Sequence, residues 1–316
     1  MYKIKQIPED FVVKEVSNIE ERKIGKFSYF VMKKKNYTTS DSIHAIARKL
    51  RKKTKEFGFA GTKDKRAITE QIISIRGQNI EEVILNDIQT IFFGMGDQSI
   101  CLGDLEGNRF EIIIRNIEKK VKKIDRFLNI FGKQRFSKNN LQIGRSIIKK
   151  EFGKASNLIL ETNNRWEQQA RDHLDNNPRD FVGAIRLIPR EVSLMYVHAY
   201  QSYIWNRYAR NISKLTKTNI DIPIFGFGTE LDKFRFRDSI KEVLKEEGIS
   251  ERDFIVRQIP GFSCPGDQRK LYMDINDLEI DELTDDELND GMKKYLIKFF
   301  LKKGGYATVA IEVMCE

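Results

Sequence analysis

Strand-like alternation marks both ends of the chain and fades from its middle. Residues 11–16 and 27–32 are short runs rich in Phe, Val and Tyr, and residues 68–75 and 110–115 continue the pattern. Near the other end, Tyr295, Ile297, Phe299 and Leu301 alternate with Leu296, Lys298 and Phe300. Beyond the turn Lys302-Lys303-Gly304-Gly305, Val309, Ile311 and Val313 alternate with Thr308, Ala310 and Glu312, which predicts two strands joined by a glycine turn. From about Asn139 to Gly261 helical spacing dominates. Its clearest helix starts near Pro189 and carries Leu194, Val197, Tyr200, Ile204 and Tyr208 at the spacing of a buried face. The pattern predicts an α+β fold: a mixed or antiparallel sheet domain built from both chain ends, interrupted by a mainly helical insertion. With 316 residues, 40% of them hydrophobic, the chain is long enough for two cores.

Two helices are expected before the insertion. Thr38-Thr39-Ser40-Asp41 offers N-cap residues to a helix carrying Ile43, Ile46, Ala47 and Leu50 on one face. Val121, Ile124, Leu128 and Phe131 mark a second helical face.

The charge excess is clustered. Against 46 acidic residues stand 56 Lys and Arg, a net charge of +10. Arg48, Lys49, Arg51, Lys52, Lys53 and Lys55 crowd the end of the helix that starts near Thr39, where cations also complement its dipole. Lys33 to Lys35, and Lys119, Lys120, Lys122 and Lys123, form two more runs. Each run alone reads as a solvated face; with the global excess they favour a polyanionic partner, most simply nucleic acid. The acidic stretch from Asp274 to Asp290 would repel phosphates and is expected away from any RNA face.

Three scattered cysteines argue for a reducing compartment and against a disulfide frame or a cysteine zinc site. The three histidines are too far apart for a local metal motif, and no metal or cofactor is expected. Gly58 to Lys63 lacks the spacing and the following Ser/Thr of a phosphate-binding loop. No apolar run approaches membrane-spanning length, and Met1-Tyr2-Lys3-Ile4-Lys5 lacks the apolar core of a secretory signal. A cytoplasmic monomer is the expectation.

The segment Ala60-Gly61-Thr62-Lys63-Asp64-Lys65-Arg66-Ala67 follows a predicted strand end and sets one carboxylate among three cations. Surrounding positive charge favours the ionised form, which a nucleophilic aspartate requires. The plainer alternative is an Asp that closes a turn on its own backbone.

Several motifs together resemble the TruD family of tRNA pseudouridine synthases. Pro8-Glu9-Asp10-Phe11-Val12-Val13 resembles the family's N-terminal motif, and Phe59 to Ala67 with Thr69 and Gln71 its catalytic loop. Leu102-Gly103 with Gly107-Asn108-Arg109-Phe110, then Asn129, Phe131-Gly132 and Gln134-Arg135-Phe136, then Gly304-Gly305-Tyr306-Ala307-Thr308, follow in the family's order. Phe27 stands where many relatives carry His, and Ile130 and Ser137 replace residues usually Tyr and Gly.

The resemblance implies a pseudouridine synthase sheet domain at residues 1–136 and 263–316, with the family's insertion domain at 137–262. It implies that uridine in tRNA, at position 13, is isomerised to pseudouridine without metal or cofactor. Asp64 matches the catalytic aspartate, and Lys5 the lysine beside it. Phe110 matches the aromatic that stacks on the base, and Asn108 its neighbour. Lys63 is expected to contact substrate. Arg51, Lys52 and Lys53 are expected to meet phosphates. Two alternatives compete: an RNA-binding or RNA-chaperone protein that keeps the fold, and a glycosidase, which needs a second carboxylate such as Asp10 or Glu15 folded against Asp64.

Overall fold

The computed structural model describes residues 2–119, 121–136, 139–161 and 165–316; Lys120 and Ser137 lie outside them. The chain forms two compact units, one of residues up to Phe127 together with Met273–Glu316, the other Leu128–Tyr272.

The first unit is built on a ten-stranded sheet. Its early strands are β1 (Phe11–Val16), β2 (Phe27–Lys35), β3 (Phe57–Phe59), β4 (Ile68–Arg76), β5 (Ile84–Leu85), β6 (Ile88–Gly96) and β7 (Gly107–Ile117). The order runs Asn276–Ile280, Lys293–Lys302, β7, β1, β4, β2, β6, β5, with Thr284–Asp285 beside Lys293–Lys302 and β3 beside β4. β1 and β4 pair in parallel, and the other neighbours are antiparallel. Helix α1 (Thr39–Leu50) is capped by Thr38, whose hydroxyl accepts from the Asp41 amide at 3.0 Å. Its Ile43, Ile46 and Ala47 bury against Phe30, Met32, Ile73 and Ile75 of β2 and β4, each such side chain contributing about 1.5–3 kcal/mol. At Gly107 an added Cβ would lie 2.2 Å from the Leu301 carbonyl oxygen, so only glycine lets β7 approach the C-terminal strand there.

Two expectations are corrected. The second strand of the predicted C-terminal pair is a helix, Ala307–Cys315. Lys293–Lys302 already has β7 on one edge and two short strands on the other, so no edge is free for a partner. The wholly apolar set Ala307, Ala310, Ile311 and Met314 is buried at helical spacing instead. The helix expected from Val121, Ile124, Leu128 and Phe131 is absent: Arg126–Leu128 is a short strand. The Asp125 carbonyl accepts from the Ile275 amide at 2.8 Å, so extended pairing takes backbone groups a helix needs.

The second unit packs around the helix Arg190–Leu215, whose Val197, Tyr200, Ile204 and Tyr208 are fully buried, as their spacing predicts. Phe131 meets Trp205 edge-on at 5.7 Å, and the Asn206 side chain bonds both the Phe131 amide (2.8 Å) and its carbonyl (2.9 Å). Asp267–Lys270 pairs with Asp221–Ile224. These contacts extend the unit beyond the expected limits of 137 and 262 at both ends. Among the described residues no helix is long and apolar enough to cross a membrane.

Candidate active site

β2 covers one edge of β4 along its whole length, so β1 and β3 share the other edge end to end. The chain leaves β3 at Phe59 and returns as β4 at Ile68, and residues 60–67 between them carry Asp64. Buried polar side chains latch this loop from below. Gln71 donates to the Gly61 carbonyl (2.9 Å) and accepts from the Thr39 hydroxyl (2.9 Å). That hydroxyl accepts in turn from the Lys63 amide (2.9 Å). Thr39 is therefore more than a residue of the helix start, the only role its sequence position suggested. Other side chains hold the loop, and the Asp64 carboxylate is engaged by Lys5 from the N-terminal segment.

Lys5 forms an ion pair with the Asp64 carboxylate; the two side chains are 17% and 38% exposed. The Lys5 ammonium also lies 4.0 Å from the Phe11 ring centre. Its backbone has φ +56°, a left-handed conformation uncommon for a long side chain and a form of strain that clusters at functional sites. Both flanks are pinned. Lys3 and Arg115 exchange two backbone hydrogen bonds at 2.9 Å, and the Arg66 guanidinium donates to the Gln6 carbonyl at 2.6 Å.

Arg115 anchors this terminal segment. Its guanidinium is 1% exposed and binds Asp10 (2.8 Å), Asp286 (2.8 Å) and Glu287 (3.0 Å). Asn289 donates to Asp286 (2.7 Å) and to Gln6 (3.0 Å), and accepts from the Lys3 ammonium. Burial alone would raise the Asp286 carboxyl; donors from Asn116, Asn289, Leu288 and Arg115 overcome it and hold the group down at about 2.

The aromatic floor lies on the same sheet face. Val13, Phe110 and Phe299 are aligned across β1, β7 and the C-terminal strand. Phe110 stacks on Phe299 (5.4 Å, 28°) and meets Phe11 edge-on (6.1 Å), which leaves it 7% exposed. Asn108, two residues earlier, is partly exposed, and its buried Oδ1 has no hydrogen-bond partner among the described residues. The structure thus joins Asp64, Lys5, Phe11 and Phe110 in one chain of contacts.

Lys63 is placed differently from expectation. Its ammonium is buried in an ion pair with Glu15, side chains 5% and 0% exposed. Glu15 also accepts from the Ile72 amide (3.3 Å), filling the gap on β4 between β1 and β3. Asp10 is held by Arg115. Neither carboxylate that a glycosidase would need faces Asp64. Nothing in the spacing of residues 10, 15, 63 and 115 announces these pairings, which the sheet register creates.

In the basic cluster Arg51 and Lys53 are exposed, whereas the Lys52 ammonium is engaged by Glu56 (3.3 Å) and the Arg76 carbonyl (2.8 Å). The phosphate contacts expected of this cluster would fall to Arg51 and Lys53: with an RNA bound there, changing both to Gln would lower the slope of log K against log salt by roughly one to two units. Lys52→Gln alone should change the slope little; titrations from 50 to about 200 mM salt test both.

A family model described as tRNA pseudouridine synthase D (TruD) matches residues 2–171, 159–215 and 207–313. The probable tRNA pseudouridine synthase D of Methanosarcina mazei is 29% identical across 98% of this chain and 92% of its own length. The tRNA pseudouridine synthase D of Aquifex aeolicus is 27% identical across 98% of this chain and 97% of its own. The crystal structure of the putative enzyme from Methanosarcina mazei matches with a TM-score of 0.73 at 27% identity, covering 99% of this chain and 93% of that one.

Proposed function

The chain belongs to the TruD family of tRNA pseudouridine synthases, and on that footing we propose that it isomerises one uridine of tRNA, U13, with the Asp64 carboxylate as the reacting group. The observation that carries the reading is the part-exposed Asp64–Lys5 ion pair beside the Phe11–Phe110 cluster.

The uridine leaves its stack at a cost of a few kcal/mol. Stacking on Phe110, held rigid by Phe299 and Phe11, returns about 1–3 kcal/mol. The orphaned Asn108 Oδ1 offers an acceptor to the uracil N3–H. Asp64 then attacks C1′ or takes the C2′ proton; either route starts from an ionised carboxylate aimed at the ribose. The N1–C1′ bond breaks, the base turns, and C5 bonds to C1′. The C5 proton is lost to water and N1 gains one, so no electrons are exchanged. Lys5 is a positioning residue for the carboxylate. Lys63, paired with Glu15, supports the loop.

Three free cysteines, one of them exposed, fit a reducing compartment, and a cytoplasmic monomer is the state we propose. Phe110→Ala should lower single-turnover rates by about 5- to 150-fold, the equivalent of the lost stacking, while tRNA binding changes less; an unaltered rate would remove Phe110 from the pocket. Mapping pseudouridine in tRNA from cells with and without this protein tests the target. Loss of pseudouridine at position 13 alone is the expected result, and loss at another position refutes that assignment.

A further inference from the structure

Three lysines in a row, Lys33 to Lys35, read in sequence as one basic run, and the structure separates them. They end strand β2, where alternate side chains point to opposite faces. Lys33 meets Glu70 at 3.2 Å and Lys35 meets Glu9 at 2.5 Å, with side chains 43% and 39% exposed. Lys34 lies on the other face, in line with Met32 and Phe30, and is 2% exposed. It makes no ion pair among the described residues. Its ammonium donates instead to two main-chain carbonyls, those of Tyr37 (2.6 Å) and Asp64 (2.9 Å).

A buried ammonium without a carboxylate partner is costly, and on packing grounds a second Met would serve this slot better. What Lys34 does that Met cannot is tie two segments together. Tyr37 leads into the start of α1, and Asp64 carries the reacting carboxylate. We infer that Lys34 is a second positioning lysine of the active site, which holds the main chain of Asp64 while Lys5 holds its side chain. The inference rests on Asp64 being the reacting group. The Asp64 carbonyl is one bond from its Cα, so fixing that carbonyl fixes the direction in which the carboxylate leaves the loop. A displacement of about 1 Å at such a point can cost about 10²-fold in rate.

The charged groups around Lys34 are few. Asp64 and Lys63 face it from the loop and Asp41 from the first turn of α1; Glu15 on β1 neutralises Lys63. Burial dominates and brings the Lys34 ammonium down to about 8, Lys63 adding to the effect while Asp64 and Asp41 oppose it. Above that pH both hydrogen bonds lose their charge-assisted strength. The stability effect has the opposite sign. Because its folded value lies below the ordinary 10.5, Lys34 binds fewer protons folded than unfolded between about pH 8 and 10.5, so its contribution to stability rises with pH there. A positioning role therefore predicts slower turnover in a fold that this group does not weaken.

The test uses the full chain with a tRNA transcript. Lys34→Met is expected to lower kcat by about 10- to 100-fold with KM within about twofold. Its melting temperature should equal or exceed that of wild type, and the alkaline fall in rate near pH 8 should vanish. Lys34→Arg, which keeps charge and donors, should recover part of the rate. A kcat for Lys34→Met within about twofold of wild type, or an alkaline limb that persists in it, overturns the inference. So does a loss of rate that tracks a fall in melting temperature in both variants. Should Lys34→Met not fold, the wild-type profile decides: a fall near pH 8 with tRNA binding unchanged supports the inference, and a flat profile to about pH 9.5 overturns it. Asp64→Asn is measured alongside. Activity in that variant defeats the reading of Asp64 itself; an inactive Asp64→Asn beside a fully active Lys34→Met defeats only the role of Lys34.

Discussion

Asp64→Asn is expected to bind tRNA as wild type does and to form no pseudouridine above background, a fall of about 10³-fold or more. The substitution keeps the volume, and the amide oxygen still accepts from the Lys5 ammonium. The loop latches through Gln71, Thr39 and Lys34 involve the main chain of residues 61, 63 and 64 and are untouched. What disappears is the charge proposed to attack C1′ or to remove a sugar proton. Binding and single-turnover assays on one preparation separate the two effects. Retained turnover would remove Asp64 from the chemistry.

The largest stability effect is expected at Arg115. Replacing it with Met leaves Asp10 and Asp286 buried without their cation. Breaking a buried pair from one side typically costs about 3–5 kcal/mol. Arg115→Met should therefore lower the denaturation midpoint sharply and slow turnover as well, because the segment that aims Lys5 is tied down on both sides by this network. Amide exchange over residues 2–10 should quicken in the same variant. The acid limb of wild-type stability has the matching sign. Asp286 is held at about 2, below its ordinary 3.8, so its contribution is complete above the ordinary value and is lost as pH falls from about 4 towards 2. A loss of unfolding free energy under about 1 kcal/mol would show that the network is not what fixes the terminus.

The sheet was legible because alternation survives wherever one face is buried. Tyr295, Ile297, Phe299 and Leu301 are all buried and Lys298 is not, although Phe300 on the second face is buried too. The same rule was hidden at Lys33 to Lys35, where chemistry did not alternate although burial did. The C-terminal segment was misread because it is almost wholly apolar, and a run such as Thr308 to Val313 fits either period. The loop that carries Asp64 stands out in the sequence as a motif, and the resemblance points to Lys5 and Phe110, which the fold brings to Phe11 beside it. The supports of the loop were not legible. Arg115 reaches Asp10 and Asp286, and Lys3 reaches Asn289, across most of the chain. Such pairs exist only once both chain ends share a sheet, and no local spacing encodes them.

The most direct test of the central claim is release of label from tRNA carrying tritium at uridine C5, incubated with the purified protein. An Asp64-dependent isomerisation predicts one tritium released per tRNA, the strand intact and no free uracil, with no release by Asp64→Asn. Free uracil would identify a glycosidase, and tight binding without release would identify an RNA-binding protein; either contradicts the account.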